Sequence, residues 1–172
     1  MKKIIVNEYG SVDVLQEVVA LKPVPGEKDV LIKVAAIGVN DPDIVMRKYG
    51  PFPTMPHMLG GDFSGIVEQV GAEVTKFQVG DHVMGYTKRG TYAQYIVLDQ
   101  DDSLSQVPDQ LDLIPLGGLY LTALTAWSAI MKNGHLQAGQ KVLIHGGAGG
   151  VGSMAIQIAK AAGATVITTA RS

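Results

Sequence analysis

The sequence predicts a two-part fold: a β-rich domain of short strands, followed by the first βαβ unit of a parallel α/β sheet. Three observations predict it. Before Pro108, short runs rich in Val, Ile and Tyr are separated by turn formers. After Pro108, the apolar spacing lengthens to the period of a helix. Close to the end of the chain, an apolar run, a glycine cluster and a helical segment follow one another directly.

Lys3–Asn7, Asp29–Val39, Ser64–Val70, His82–Tyr86 and Thr91–Leu98 read as strands. The turns between them are marked by Pro23-Val24-Pro25-Gly26, Val79-Gly80-Asp81 and Lys88-Arg89-Gly90. Short strands at this spacing predict a compact barrel or sandwich. Asp41 to Pro56 is irregular, with Pro42, Pro51, Pro53 and Pro56, and leaves room for a short helix between Asp43 and Lys48. Leu116 to Met131 reads as a helix, with Leu121, Leu124, Trp127 and Ala129 available for packing. No charge lies between Leu113 and Met131, but Pro115, Gly117 and Gly118 make this a buried helix rather than a membrane span.

Lys141 to His145 then forms a strand. Val151, Ala155, Ile158, Ala159 and Ala162 follow the i, i+4, i+7, i+8, i+11 pattern of a helix with one buried face, and Gly163 ends it. Ala164 to Thr169 is the second strand. The domain boundary falls between residues 108 and 120, giving domains at 1–115 and 116–172. A lone βαβ unit leaves strand edges open at 142–145 and 164–169, so poor solubility or homodimerisation through an edge is expected.

The 172 residues are 47% hydrophobic, enough for a core, and 17% charged, below the ~25% common in soluble domains. A net charge of −2 gives no reason to expect nucleic acid or an anionic membrane as partner. Without cysteine, disulfides and thiolate metal sites are excluded. The apolar run in Met1–Val6 stops at Asn7-Glu8, too short for a signal peptide, so a cytoplasmic protein is expected.

The glycine cluster carries chemistry. It reads Gly147-x-Gly149-x-x-Gly152, between a strand and a helix. That context distinguishes a dinucleotide-binding turn from a tight turn with no ligand. Glycines let the backbone approach a pyrophosphate, and the N–H groups of Gly150 and Val151 at the helix start would face it. A site for NADH wants an acidic residue at the end of the second strand to bind the ribose hydroxyls. Here Val166-Ile167-Thr168-Thr169-Ala170 carries none, and Arg171-Ser172 follow. A guanidinium there suits a 2′-phosphate, which favours NADPH over NADH; the alternative is a solvated arginine.

Several motifs occur together: Gly38-Val39-Asn40-x-x-Asp43; Pro56-x-x-x-Gly60-x-Asp62-x-x-Gly65; Val67-x-x-Val70-Gly71; Phe77-x-x-Gly80-Asp81-x-Val83-x-Gly85; Gly90-Thr91-Tyr92-Ala93-Gln94-Tyr95; and Leu121-Thr122-Ala123 before Trp127. With the glycine turn, this order resembles the zinc-independent quinone oxidoreductase group of the medium-chain dehydrogenase/reductase superfamily. The resemblance implies a GroES-like catalytic domain followed by a truncated Rossmann domain, and hydride transfer from NADPH to a quinone or an α,β-unsaturated carbonyl. It implies that Asn40 and Thr122 face the nicotinamide side, with Asn40 and Tyr49 lining a substrate pocket. Tyr49 is no motif match: many members carry a tyrosine where Val45 stands here. Asp62 holds the place of a family carboxylate and reads as structural.

Zinc-dependent members use a Cys, a Gly-His-Glu segment and a four-Cys lobe. This chain has Gly60-Gly61-Asp62, no cysteine, and His57, His82, His135 and His145 scattered, so no metal is expected. Tyr92, Tyr95, Met46, Met55 and Met58 read as packing residues. No residue stands out as a proton donor, and water suffices for that step. Family members run to about twice this length, so the chain resembles an N-terminal fragment of the enzyme. The alternative is a non-catalytic remnant that binds nucleotide or a partner chain only.

Overall fold

A computed structural model describes residues 1–52 and 54–171, and the chain divides into two compact units, Met1–Tyr120 and Leu121–Ser172.

The first unit is built on antiparallel pairing. Strand β1 (Lys2–Val6) pairs with β2 (Leu15–Val19) as a two-stranded ribbon. β2 was not expected from sequence, because Leu15-Gln16-Glu17-Val18-Val19 has no alternation and only Val18 is not exposed. Its partner rather than its own pattern makes it a strand. The main sheet contains β3 (Asp29–Ile37), β4 (Asp62–Val70), β5 (His82–Tyr86), β6 (Tyr95–Asp99) and β7 (Leu104–Gln106) in the order β6-β3-β4-β5-β7. It is open rather than the closed barrel or sandwich expected: β6 and β7 stand at its two ends and do not pair. Its core is Val30, Ile32, Phe63, Val67, Val83, Ile96 and Leu98.

β6 starts at Tyr95, later than the Thr91 predicted. The main chain of Thr91 and Tyr92 is drawn aside, both N–H groups donating to the Leu59 carbonyl at 2.9 and 3.1 Å. β7 is only three residues long and too short to leave a pattern in the sequence.

Helix α1 (Asp41–Tyr49) begins two residues before the predicted start. Asn40 caps it, and Pro42 lies in the first turn, where a missing N–H costs nothing. Gly50 ends it with φ 68°. Beyond it, the His57 ring stacks on Phe52 at 4.2 Å between centroids. Burial holds the His57 pKa below its usual 6.5. The unfolded chain therefore takes up a proton at higher pH than the folded one. Stability should be full above about pH 6.5 and fall as pH drops from there toward the folded value. Thermal melts at pH 7.5 and 5.5 check this: His57→Phe, which keeps the stack, should lose less melting temperature over that interval than the parent. An equal loss would assign the pH dependence elsewhere.

The single helix expected over 116–131 is instead broken. α2 (Leu113–Leu116) is capped by the Asp112 side chain, which accepts from the Ile114 N–H at 3.0 Å. Gly117 then packs on β3, where a Cβ would lie 2.6 Å from the Ala36 Cβ. α3 (Tyr120–Trp127) follows and passes into a π-helical turn, Ser128–Asn133. Ala126 and Ile130 are buried, while Leu124 and Trp127, expected to pack, are 49% and 53% exposed.

In the second unit, β8 (Lys141–Ile144), α4 (Gly150–Ala161) and β9 (Thr165–Thr168) form the predicted βαβ unit. β8 and β9 are parallel, with Lys141 opposite Thr165 and Ile144 opposite Thr168. Ala126, Ile130, Leu136, Ile144, Ala155 and Ala159 form its core. Val151, predicted to open the buried face of α4, is 41% exposed.

Candidate functional site

The glycine turn is shaped by close approach of backbone to backbone. β8 ends at Ile144, and the chain reverses at Gly146 with φ 69°, a left-handed conformation that favours glycine. The Gly147 N–H donates to the Thr169 carbonyl at 2.9 Å, tying the turn to the end of β9. A Cβ on Gly147 would meet the Thr168 Oγ1 at 2.1 Å. One on Gly152 would meet the Gly146 carbonyl oxygen at 2.2 Å. These two glycines therefore let the helix and the second strand close on the turn. Gly149 differs. Its hypothetical Cβ meets only the Gly146 oxygen, at 3.3 Å, and its place is the N-cap of α4.

A glycine N-cap has no side chain to satisfy the first helical amides, and α4 has no side-chain cap. The N–H groups of Gly150, Val151 and Gly152 precede the first i→i−4 bond, Ser153 N–H to the Gly149 carbonyl at 2.8 Å. Ala148, Gly149, Gly150 and Val151 are exposed. An exposed row of uncapped amides at the positive end of a twelve-residue helix suits an anionic pyrophosphate. Thr122 belongs to the same surroundings: its Cγ2 lies 3.2 Å from where a Gly150 Cβ would stand. Gly146, Thr168 and Thr169 also shape the turn, outside the residues that the glycine spacing picks out. Thr168 Oγ1 donates to the Ile144 carbonyl at 2.8 Å, and the Gly146 N–H donates to Thr169 Oγ1 at 3.3 Å. The glycine directly before the motif was the signal for the first of these; the two threonines carried none.

Arg171 is exposed and follows the end of β9 at Thr168. Ser172, named with it as a cofactor contact, lies outside the described residues.

In the first unit, Asn40 is held at two points. Its N–H donates to Asp43 Oδ2 at 2.8 Å, and its Nδ2 donates to Asp62 Oδ2 at 3.1 Å. Asp62 is fully buried. Its backbone carbonyl accepts from the Gly38 N–H at 3.2 Å and from Thr91 Oγ1 at 3.1 Å. The other oxygen of Asp43, Oδ1, accepts from the Gly60 N–H at 3.2 Å. Because a carboxylate accepts, the Asn40 amide nitrogen points toward Asp62, while the side chain also takes part in the capping box of α1 with Asp43. Tyr49 lies at the opposite end of α1 and is 68% exposed, so the structure does not bring it beside Asn40. A cleft of about 440 Å³ opens by Asp43 instead, walled by Val12, Leu15, Val39, Ile44, Leu59 and Tyr92. Burial, helped by the Asp43 charge, pushes the Tyr92 phenol up to about 12, so it stays protonated and is a weak acid.

Among the described residues, no three His, Cys, Asp or Glu side chains lie together as a metal site would require. No helix among them is long and apolar enough to cross a membrane.

Comparison with known proteins places this geometry. Residues 26–109 match the alcohol dehydrogenase GroES-like domain. A quinone oxidoreductase of Sus scrofa is 41% identical over 99% of this chain, which spans 53% of that protein. One from Pongo abelii is 37% identical over 99% of this chain, again 53% of its own length. The crystal structure of Escherichia coli quinone oxidoreductase complexed with NADPH superimposes with a TM-score of 0.90 at 30% identity, covering 100% of this chain and 53% of that one. The chain thus spans about half the length of the relatives it matches.

Proposed function

We propose that the chain belongs to the quinone oxidoreductase-like group of the medium-chain dehydrogenase/reductase superfamily and is the front part of an NADPH-dependent, metal-free reductase of quinones or enones. In this reading, residues 1–115 are the catalytic domain and 116–172 open the nucleotide-binding domain. The observation that carries it is the exposed, uncapped N-terminus of α4 inside the Gly147–Gly152 turn.

The N–H groups of Gly150, Val151 and Gly152 bind the pyrophosphate, and Arg171 pairs with the 2′-phosphate. Thr122, beside Gly150, supplies a hydroxyl near the same loop. Asn40, held by Asp62 and by the cap of α1, stands on the nicotinamide or substrate side. NADPH, when bound, supplies the hydride, which suits a conjugated acceptor that needs no Lewis acid. Water delivers the proton. The cytoplasm is the proposed location.

Calorimetric titration of the 172-residue chain with NADPH and NADH tests the reading. NADPH should bind more tightly. Arg171→Ala should weaken NADPH about tenfold and leave NADH unchanged, as expected for one charge-assisted contact at an exposed site. Equal losses for both nucleotides would remove Arg171 from the phosphate site. A second reading is favoured by one observation, that the chain spans about half of its relatives' length. On that reading the chain binds nucleotide without turning over. Binding of NADPH with no quinone-dependent oxidation of it would select this second reading.

A further inference from the structure

We propose that Asn133 is a modification site: a place of non-enzymatic deamidation that the π-helical turn holds closed and that opening of this turn releases. The inference rests on the end of the turn itself and is independent of the cofactor reading.

The chain has three asparagines, Asn7, Asn40 and Asn133, followed by Glu8, Asp41 and Gly134. Only Asn133 precedes a glycine. In deamidation the main-chain nitrogen of the following residue attacks the side-chain amide carbon. A C–N bond forms there, the bond to the amide nitrogen breaks, and ammonia leaves with the proton that the main-chain N–H gives up. Water then opens the succinimide ring at either carbonyl, giving aspartate or isoaspartate. No reactant other than water is needed. Glycine favours the attack because no Cβ shields its nitrogen and its backbone turns most freely.

The fold withholds the nucleophile. Asn133 is the last residue of the π-helical turn Ser128–Asn133, and the Gly134 N–H donates to the Ala129 carbonyl at 2.9 Å. The nitrogen that must attack is thus committed, with its proton, to a helical bond. Asn133 must also leave helical backbone before the ring can close. The Leu136 N–H completes the end of the turn by donating to the Ile130 carbonyl at 3.1 Å. Ile130 and Leu136 are buried in the core of this unit, which keeps the turn shut. Asn133 and Gly134 are exposed, so water reaches the ring once it forms.

The same end carries its own weak point. His135 has φ 48° and is the non-glycine residue in the left-handed region among the described residues. A residue with a Cβ holds that conformation at a cost that glycine escapes. Once the site has reacted, the turn does not close again as before. Neither Asp nor Glu occurs from Leu113 to Ser172, so the product places a new carboxylate there, at the negative end of a helix, where anions are disfavoured. Isoaspartate also adds a methylene to the main chain inside both closing bonds, Gly134 to Ala129 and Leu136 to Ile130, and shifts their register.

Peptide mapping by mass spectrometry of the 172-residue chain, aged at one pH both folded and in denaturing urea, tests the proposal. Modification should appear at Asn133 ahead of Asn7 and Asn40 in urea. At Asn133 it should run at least about tenfold slower in the folded chain, as for a site that reacts only through local opening. His135→Gly relieves the left-handed backbone without touching the reacting pair. It should slow the folded chain about threefold further and leave the rate in urea unchanged. Equal rates with and without urea, modification at Asn7 or Asn40 ahead of Asn133 in urea, or a folded His135→Gly chain that reacts as fast as the parent would each overturn the proposal.

Discussion

Gly152→Val should melt the second unit and abolish nucleotide binding together. Any Cβ at 152 would stand 2.2 Å from the Gly146 carbonyl oxygen, 2.9 Å from the Gly146 carbonyl carbon and 2.9 Å from the Gly147 Cα. All three are backbone atoms and cannot rotate away. Relief requires α4 to lift off the turn, which separates Ala155 and Ala159 from Ile144 and Ile130. Overpacking of this kind costs about 1–3 kcal/mol, and valine, with two further methyls, belongs at the upper end. That unit's buried core is three alanines, two isoleucines and a leucine, so the loss is a large share of its stability.

Gly149→Ala is the comparison that separates the two roles of the glycines. Its backbone, φ −80° and ψ 166°, is open to any residue, and its Cβ would touch only one atom, at 3.3 Å. The fold should survive with a loss of about 1 kcal/mol or less, while a methyl now stands at the mouth of the amide row. Melting curves and an NADPH titration on both variants decide the matter. Gly152→Val should lose fold and binding; Gly149→Ala should lose binding affinity alone. Equal melting temperatures for Gly152→Val and the parent would show that the helix does not close on the turn as described.

The parts of the fold written plainly in the sequence were those with a local cause. The βαβ unit was legible because Lys141–Ile144, the glycines and the Ala155–Ala159 face each follow from short-range spacing, and His82–Tyr86 matched residue for residue. β2 was hidden because its cause is β1: Lys3 pairs with Val18, fifteen positions on, and Ile5 with Gln16, eleven positions on. The single long helix failed for a similar reason. Gly117 is required by Ala36, a residue distant in the chain, and the buried positions are Ala126 and Ile130 rather than Leu124 and Trp127. The open sheet was read as closed because alternation shows which strands exist and not which pair is left out.

The candidate site divides along the same line. Gly147 and Gly152 could be picked from their spacing, and the structure supplies separate reasons for each: contact with Thr168 in one case and with Gly146 in the other. The roles of Thr168 and Thr169 were invisible, since a threonine at the end of a strand is ordinary until its hydroxyl is seen bonding across to β8 and the turn. Asn40 was ambiguous between a turn residue and a ligand contact. It is the cap of α1, and its side chain reaches Asp62, twenty-two positions away, a link that no local pattern contains.

That link leads to the second large effect. Asp62→Ala should destabilise the first unit by about 2–4 kcal/mol, the range for removing a fully buried, charge-assisted partner and leaving its donor unmet. Asp62 is completely buried, and Gly38 packs so closely that a Cβ there would lie 2.9 Å from the Asp62 Cβ. The Asn40 amide loses its inward acceptor. Asp62→Asn keeps the volume and should cost less, but it also lets the Asn40 amide turn over, since an amide partner can donate as well as accept. The Asn40 side-chain N–H resonances, followed by NMR, should shift upfield and broaden in Asp62→Ala. A double-mutant cycle with Asn40→Ala isolates the bond: the two losses should fall short of additivity by about 1–2 kcal/mol. Additive losses would mean that Asn40 and Asp62 stabilise α1 and β4 separately. The orientation of the Asn40 side chain, on which its proposed part in binding depends, would then have to come from Asp43 and the helix cap alone.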